Sequence, residues 1–234
     1  MMRDATQTRW GVALVALMAM VVAAFLLGRA QQARRTPPPG SEHRMVRQQV
    51  LYLTLSRTEA PIIVLGDSIV EAAILPPSAC GHALVNAGLS GASTASDLAG
   101  WLKPAVGESR PFAIIVSLGI NDVPTNSAGN ADAFAGRYEA LLRELSKLTD
   151  RIYFIEIPPV EARARMTPDM AKTAMATIGS YRAALPDLAR RTGATLLPWP
   201  EVQAPFTIDG VHLNAEGYRA WNEAIQHGTA LACG

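Results

Sequence analysis

No run of basic residues interleaved with aromatics occurs in the chain, which removes the usual electrostatic route to nucleic acid. Charged residues make up only 18% and the net charge is +1, so there is no acidic tail. No internal repeat is visible, which sets solenoids and propellers aside. Cysteine is confined to Cys80 and Cys233, leaving room for at most one internal disulfide, and only four histidines are available as bases. What is there is globular: 49% hydrophobic residues in a chain of 234, enough for one domain with a sizeable core.

The N-terminus differs from the rest. Trp10 to Gly28 is an uncharged, nearly all-apolar run of nineteen residues. At ~1.5 Å per helical residue it comes close to the ~30 Å hydrocarbon thickness of a bilayer. The run exceeds the ~7–15 residues of a signal-peptide core. Gly28-Arg29-Ala30 is also a poor small-x-small cleavage site, so a retained anchor is favoured over a cleaved signal. Residues 1–28 are therefore read as a cytoplasmic tail with a transmembrane anchor or signal segment. Residues 29–42 are a linker stiffened by Pro37 to Pro39, and 43–234 the folded domain. Arg29, Arg34, Arg35, Arg44 and Arg47 follow the run and, counted simply, favour the cytoplasmic face. Large domains are translocated despite such charge, however. The cysteines lean outward. If the last helix packs beside the first strands, Cys80 and Cys233 can close a disulfide that staples a fraying end, two unrelated buried thiols being the alternative. The expected location is membrane-anchored and extracytoplasmic, with the cytoplasmic face as the alternative.

Glu42–Leu55 reads as a helix with Met45, Val46, Val50, Leu51 and Leu53 as packing residues. Apolar runs then alternate with amphipathic stretches. The strands are Ile62–Gly66, Ala83–Asn86, Phe112–Leu118, Arg151–Ile157 and Ala194–Leu197. Thr94–Val106 and Asn130–Leu148 are helices, the latter with Phe134, Tyr138, Leu141, Leu142 and Leu145 on one face. Pro168–Leu185 follows with a stripe of Met170, Ala174, Ile178, Tyr181 and Leu185, after which Pro186 should kink or restart it. Asn214 can cap a final helix with Tyr218, Trp221 and Ile225 inward. Strands alternating with helices imply right-handed crossovers and a mainly parallel sheet covered on both faces, a three-layer α/β/α sandwich.

In such a sheet the loops after successive strands open on one edge, where ligands gather. The first strand stops at Gly66-Asp67-Ser68 and a helical stretch follows, which makes Ser68 a candidate nucleophile. Gly-Asp-Ser alone is also ordinary turn chemistry. Asp209 and His212, three apart in a Gly-containing turn, can pair carboxylate to imidazole and leave the other ring nitrogen free to take a proton. Attack on an ester carbonyl by Ser68 creates an oxyanion that needs donors. The Ser68 N–H, an N–H of the Gly91 loop and the Asn121 side chain are candidates. Gly91 suits the role because a residue without Cβ lets the backbone approach a substrate.

Taken in order, these segments resemble the four blocks of the SGNH hydrolases, or GDSL esterases/lipases. Gly66-Asp67-Ser68 matches the nucleophile block and Asn86-Ala87-Gly88-Leu89-Ser90-Gly91 the glycine block. Gly119-Ile120-Asn121-Asp122 matches the asparagine block, and Asp209-Gly210-Val211-His212 the Asp-x-x-His block. Ile69 stands where the family name has leucine. The absence of Gly-x-Ser-x-Gly around Ser68 separates the chain from the ordinary α/β-hydrolases. The resemblance implies a flavodoxin-like sandwich with five parallel strands, no cofactor and no metal, and ester hydrolysis through an acyl-enzyme. Its roles are Ser68 as nucleophile, His212 as base and Asp209 as orienter, with Ser68, Gly91 and Asn121 as the oxyanion hole. The expected substrate is a short-chain acyl or acetyl ester of a carbohydrate or lipid. An O-acyltransferase using the same triad, or a non-catalytic envelope binding module, are the alternatives. The expected partners are that substrate and the membrane, with no nucleic acid; the oligomeric state is left open.

Overall fold

The computed structural model describes residues 18, 20–24, 26–27, 40–124, 127–164 and 166–234. The chain splits into two compact units, residues 1–45 and 46–234. In the first, residues 18, 20–24 and 26–27 are helical and exposed. Much of the run Trp10–Gly28 and all of 29–39 lie outside the described residues. Among the described residues no helix is long and apolar enough to cross a membrane, so the expected anchor finds no support there.

Helix α1 (Ser41–Leu55) leads into the second unit. Its strands are β1 (Ile62–Gly66), β2 (Ser78–Ala79), β3 (His82–Gly88), β4 (Ala113–Ser117), β5 (Ile152–Ile155) and β6 (Thr195–Leu197). The helices that follow α1 are α2 (Ser68–Glu71), α3 (Leu98–Val106), α4 (Ala131–Leu145), α5 (Pro168–Thr192) and α6 (Ala215–Cys233). The sheet order is β2-β3-β1-β4-β5-β6. Five strands run parallel, as expected.

Every residue of β1, β4 and β5 is buried, because helices cover both faces and the strands need no polar side. On one face, Phe134 of α4 stacks on Tyr181 of α5 at 4.2 Å between ring centroids, and Tyr138 meets Phe154 of β5 edge-on. On the other, Trp221 of α6 donates its indole N–H to Ser117 Oγ at 3.0 Å, and Gly228 lets α6 close onto Leu197 and Ile115. Strand alternation puts Val116 and Phe154 toward the first layer and Ile115 and Ser117 toward the second.

Several boundaries differ from the sequence expectation. A sixth strand, β2, pairs antiparallel to β3 through the Cys80-Gly81 turn. At two residues it is too short to show periodicity. The expected helix over Thr94–Val106 begins only at Leu98, because Asp97 caps it by accepting from Gly100 N, while Thr94 bonds to Asp122. Pro186 does not restart α5, which continues to Thr192. Of the residues expected to pack α1, only Leu51 is buried, together with Leu55; Met45, Val46, Val50 and Leu53 are exposed.

Cys80 and Cys233 form a disulfide with Cα atoms 6.2 Å apart, tying the end of α6 to the β2–β3 turn. Opening a link of this kind typically costs about 2–5 kcal/mol. Cys233→Ser should therefore lower the urea midpoint by that equivalent, and a reductant should bring the wild type to the same midpoint.

Candidate active site

The nucleophile loop begins where β1 must stop. At Gly66 a Cβ would overlap the Ser117 carbonyl oxygen and Val70 Cγ2, so only glycine lets the strand end pass between β4 and α2. Asp67 then adopts extended backbone and caps α2, its carboxylate accepting from Ile69 N at 2.9 Å. Ser68 is the first residue of that short helix. Its Oγ lies 3.1 Å from His212 Nε2.

His212 is held from its other side. Nδ1 lies 2.9 Å from Asp209 Oδ2, so the proton sits on Nδ1 and Nε2 accepts from the serine hydroxyl. Asp209 Oδ1 accepts from Val211 N and His212 N at 3.1 and 2.9 Å. Burial pushes the Asp209 carboxyl up, but these bonds, with the imidazole beside it, outweigh burial and hold it at about 2. The His212 side chain is 47% exposed, so the site opens to solvent.

The two glycine- and asparagine-bearing loops are tied together. Gly91 sits at a φ of +77° with open space where a Cβ would stand. Asn121 lies on a 3₁₀ turn (Ile120–Asp122) and donates from Nδ2 to the Ala92 carbonyl at 2.8 Å. Its second Nδ2 proton, like the N–H groups of Ser68 and Gly91, has no acceptor among the described residues. The triad side chains thus meet directly, and the other two expected site residues meet through the Asn121–Ala92 bond.

Residues outside the expected triad and oxyanion hole hold these loops. Asp122 accepts from Thr94 N, Thr94 Oγ1 and Arg137 Nη2, binding the asparagine loop to the segment after Gly91. Glu71 Oε2 accepts from the Ser90 N–H and hydroxyl at 2.6 and 2.7 Å. Arg47 donates to the Gly88 carbonyl and lies 3.7 Å from Glu71 Oε1. Glu161 accepts from Phe206 N, Thr207 N and the Thr207 hydroxyl, while its own N–H donates to the Gly210 carbonyl. Tyr218 OH reaches the Ile69 carbonyl at 2.8 Å and fixes α6 behind the nucleophile. All are long-range pairs with no local spacing to announce them.

Asp67 is buried beneath the serine, and burial raises its carboxyl from 3.8 to about 7 against the opposing pull of Ile69 N and His212. Because the folded value is raised, its contribution is intact below pH ~4 and is lost as pH rises through 7. Asp67→Asn should then add on the order of 2–4 kcal/mol of stability at pH 8 and nothing below pH 4. Urea unfolding at the two pH values checks it.

A cleft of about 900 Å³ is lined by Trp199, Phe206, Val160, Arg182, Glu201 and Arg219 among others, and its walls hold none of Ser68, Asp209 and His212. Its walls come from the segments after β5 and β6 together with α5 and α6. Among the described residues no group of three or more His, Cys, Asp or Glu side chains could hold a metal ion.

The family model for GDSL-like lipases/acylhydrolases matches residues 64–220, a span that contains all four blocks. The chain belongs to that family. No curated protein matches it. Solved structures share the GDSL-like fold at low identity. A Streptococcus pneumonia protein is 20% identical with a TM-score of 0.62, over 92% of this chain and 99% of its own. A GDSL-like lipase from Bacteroides thetaiotaomicron is 19% identical with a TM-score of 0.56, over 79% and 98%. A carbohydrate acetylesterase from Sinorhizobium meliloti is 16% identical with a TM-score of 0.58, over 74% and 99%. As in other three-layer α/β folds, this GDSL-like chain gathers its polar loops at the carboxyl edge of the sheet.

Proposed function

We propose that the chain is a serine ester hydrolase that works through an acyl-enzyme on short acyl or acetyl esters. The observation that carries this reading is the hydrogen-bonded series Ser68 Oγ, His212, Asp209. His212 Nε2 takes the hydroxyl proton as Ser68 Oγ attacks the ester carbonyl carbon. Asp209, ionised throughout the neutral range, stabilises the resulting imidazolium. The carbonyl oxygen gains negative charge, which the unoccupied donors on Ser68 N, Gly91 N and Asn121 Nδ2 are suited to receive. Collapse of the intermediate breaks the ester C–O bond, and His212 returns the proton to the departing alcohol. Water, deprotonated by the same imidazole, then cleaves the acyl-serine. The solvent-open triad favours water over a sugar hydroxyl as acceptor.

We further propose that the domain is anchored to a membrane on its extracytoplasmic side, supported by the apolar run Trp10–Gly28 and the Cys80–Cys233 link.

The test is fluorophosphonate labelling of the full chain in detergent, followed by acetyl-sugar and short-chain ester panels. Labelling at Ser68 with turnover of an ester supports the hydrolase. A folded chain that takes no label, while a known serine esterase labels in the same tube, favours the binding-module alternative.

A further inference from the structure

Helix α1 presents an apolar face to solvent. Val46, Val50, Tyr52 and Leu53 are 58%, 48%, 53% and 50% exposed. With 3.6 residues per turn they fall within an arc of about 160°, opposite the buried Leu51 and Leu55. Between residues 46 and 53 the only polar side chain on that arc is Gln49. Four large apolar side chains held in one stripe form a contiguous patch, not the scattered exposure usual on soluble surfaces.

We propose that this face of α1 seats on the surface of a lipid bilayer. Chain connectivity supplies one argument. Only twelve residues, 29–40, separate the apolar run from α1, a reach of at most about 40 Å. A bilayer that holds the run therefore lies within reach of the helix. Charge supplies another. Arg29, Arg34 and Arg35 stand in that linker with no acidic residue among them, which suits anionic headgroups beside the docked helix.

The inner side of the same helix reaches the catalytic loops. Arg47 donates to the carbonyl of Gly88 and lies beside Glu71, whose carboxylate holds Ser90. Gln48 donates to the Trp101 carbonyl at 2.6 Å. The docked helix is thus bonded to the loop that carries Gly91. Seating α1 on a bilayer keeps the carboxyl edge of the sheet close to esters displayed at that surface.

The test places an environment-sensitive fluorophore on Val50→Cys, and on Lys147→Cys as a control at an exposed position of the α4–β5 connection. The native cysteines are closed as a disulfide and take no label. The full chain is reconstituted into vesicles of phosphatidylethanolamine and phosphatidylglycerol that carry a quencher on the acyl chains. Quenching at position 50 several-fold above that at position 147 is the expected result. Equal quenching at the two sites, with iodide reaching both from water, overturns the proposal. A label at position 50 shielded from both iodide and lipid quencher also overturns it, because protein then covers the face. The doubly substituted Val50→Ser/Leu53→Ser chain should keep its rate on a soluble ester, so a failure of docking is distinct from a failure of the hydrolase reading.

Discussion

Ser68→Ala should lower hydrolysis of a soluble activated ester by about 10⁴–10⁶-fold and abolish fluorophosphonate labelling. The hydroxyl is the only group in the arrangement placed to attack, 3.1 Å from the nitrogen that accepts its proton. His212→Ala should fall to a similar rate, since the serine then has no base, and the double variant should be scarcely worse than either single one. That lack of additivity is the signature of groups acting as one unit. The Ser68 side chain makes no other hydrogen bond among the described residues, so the unfolding midpoint of Ser68→Ala should stay close to wild type. A variant that keeps a tenth of wild-type activity would remove Ser68 from the mechanism.

Asp209→Asn should lower kcat by about 10³–10⁴-fold while changing KM little. The carboxylate accepts the Nδ1 proton of His212, which leaves Nε2 as the acceptor of the serine hydroxyl. An amide can present its NH₂ to Nδ1 and drive the proton to Nε2, the wrong nitrogen for a base. The same carboxylate oxygens also organise the turn by accepting from Val211 N and His212 N. Because its folded value is held at about 2, below the ordinary 3.8, Asp209 contributes stability at neutral pH that is lost as pH falls from about 4 through 2. With the side chain partly open to water, that contribution is modest. A loss of activity confined to KM would assign Asp209 to the binding of substrate, not to the orientation of His212.

The layered fold was legible in the sequence because buried parallel strands read as uninterrupted apolar runs, as in Ile62–Leu65 and Ala113–Val116. The meeting of Ser68 with Asp209 and His212 followed from the same logic, since a parallel sheet brings all such loops to one edge. What stayed hidden is the scaffolding between loops. Asp122 is in sequence only the end of the asparagine block, yet its carboxylate reaches back 28 residues to Thr94. Glu161 lies in an unpatterned loop and finds its partners 45 and 46 residues later. Neither distance leaves a local period to detect. The exposed stripe of α1 misled for a different reason. Amphipathic spacing says that a helix has an apolar face, but not that the face meets this protein's own core.

The Cys80–Cys233 bond also makes the domain a topological object. It joins positions 153 residues apart and turns β3, β4, β5, β6 and every helix from α3 onward into one covalent ring. Gly91, Asn121, Asp209 and His212 all lie on the ring, whereas Ser68 lies on the tail outside it. That tail threads its strand β1 between β3 and β4, two members of the ring. A single cut anywhere along the ring leaves both pieces linked. A cut between Ser68 and Cys80 separates the nucleophile from its base, with only hydrogen bonds and packing left to keep the strand in its slot.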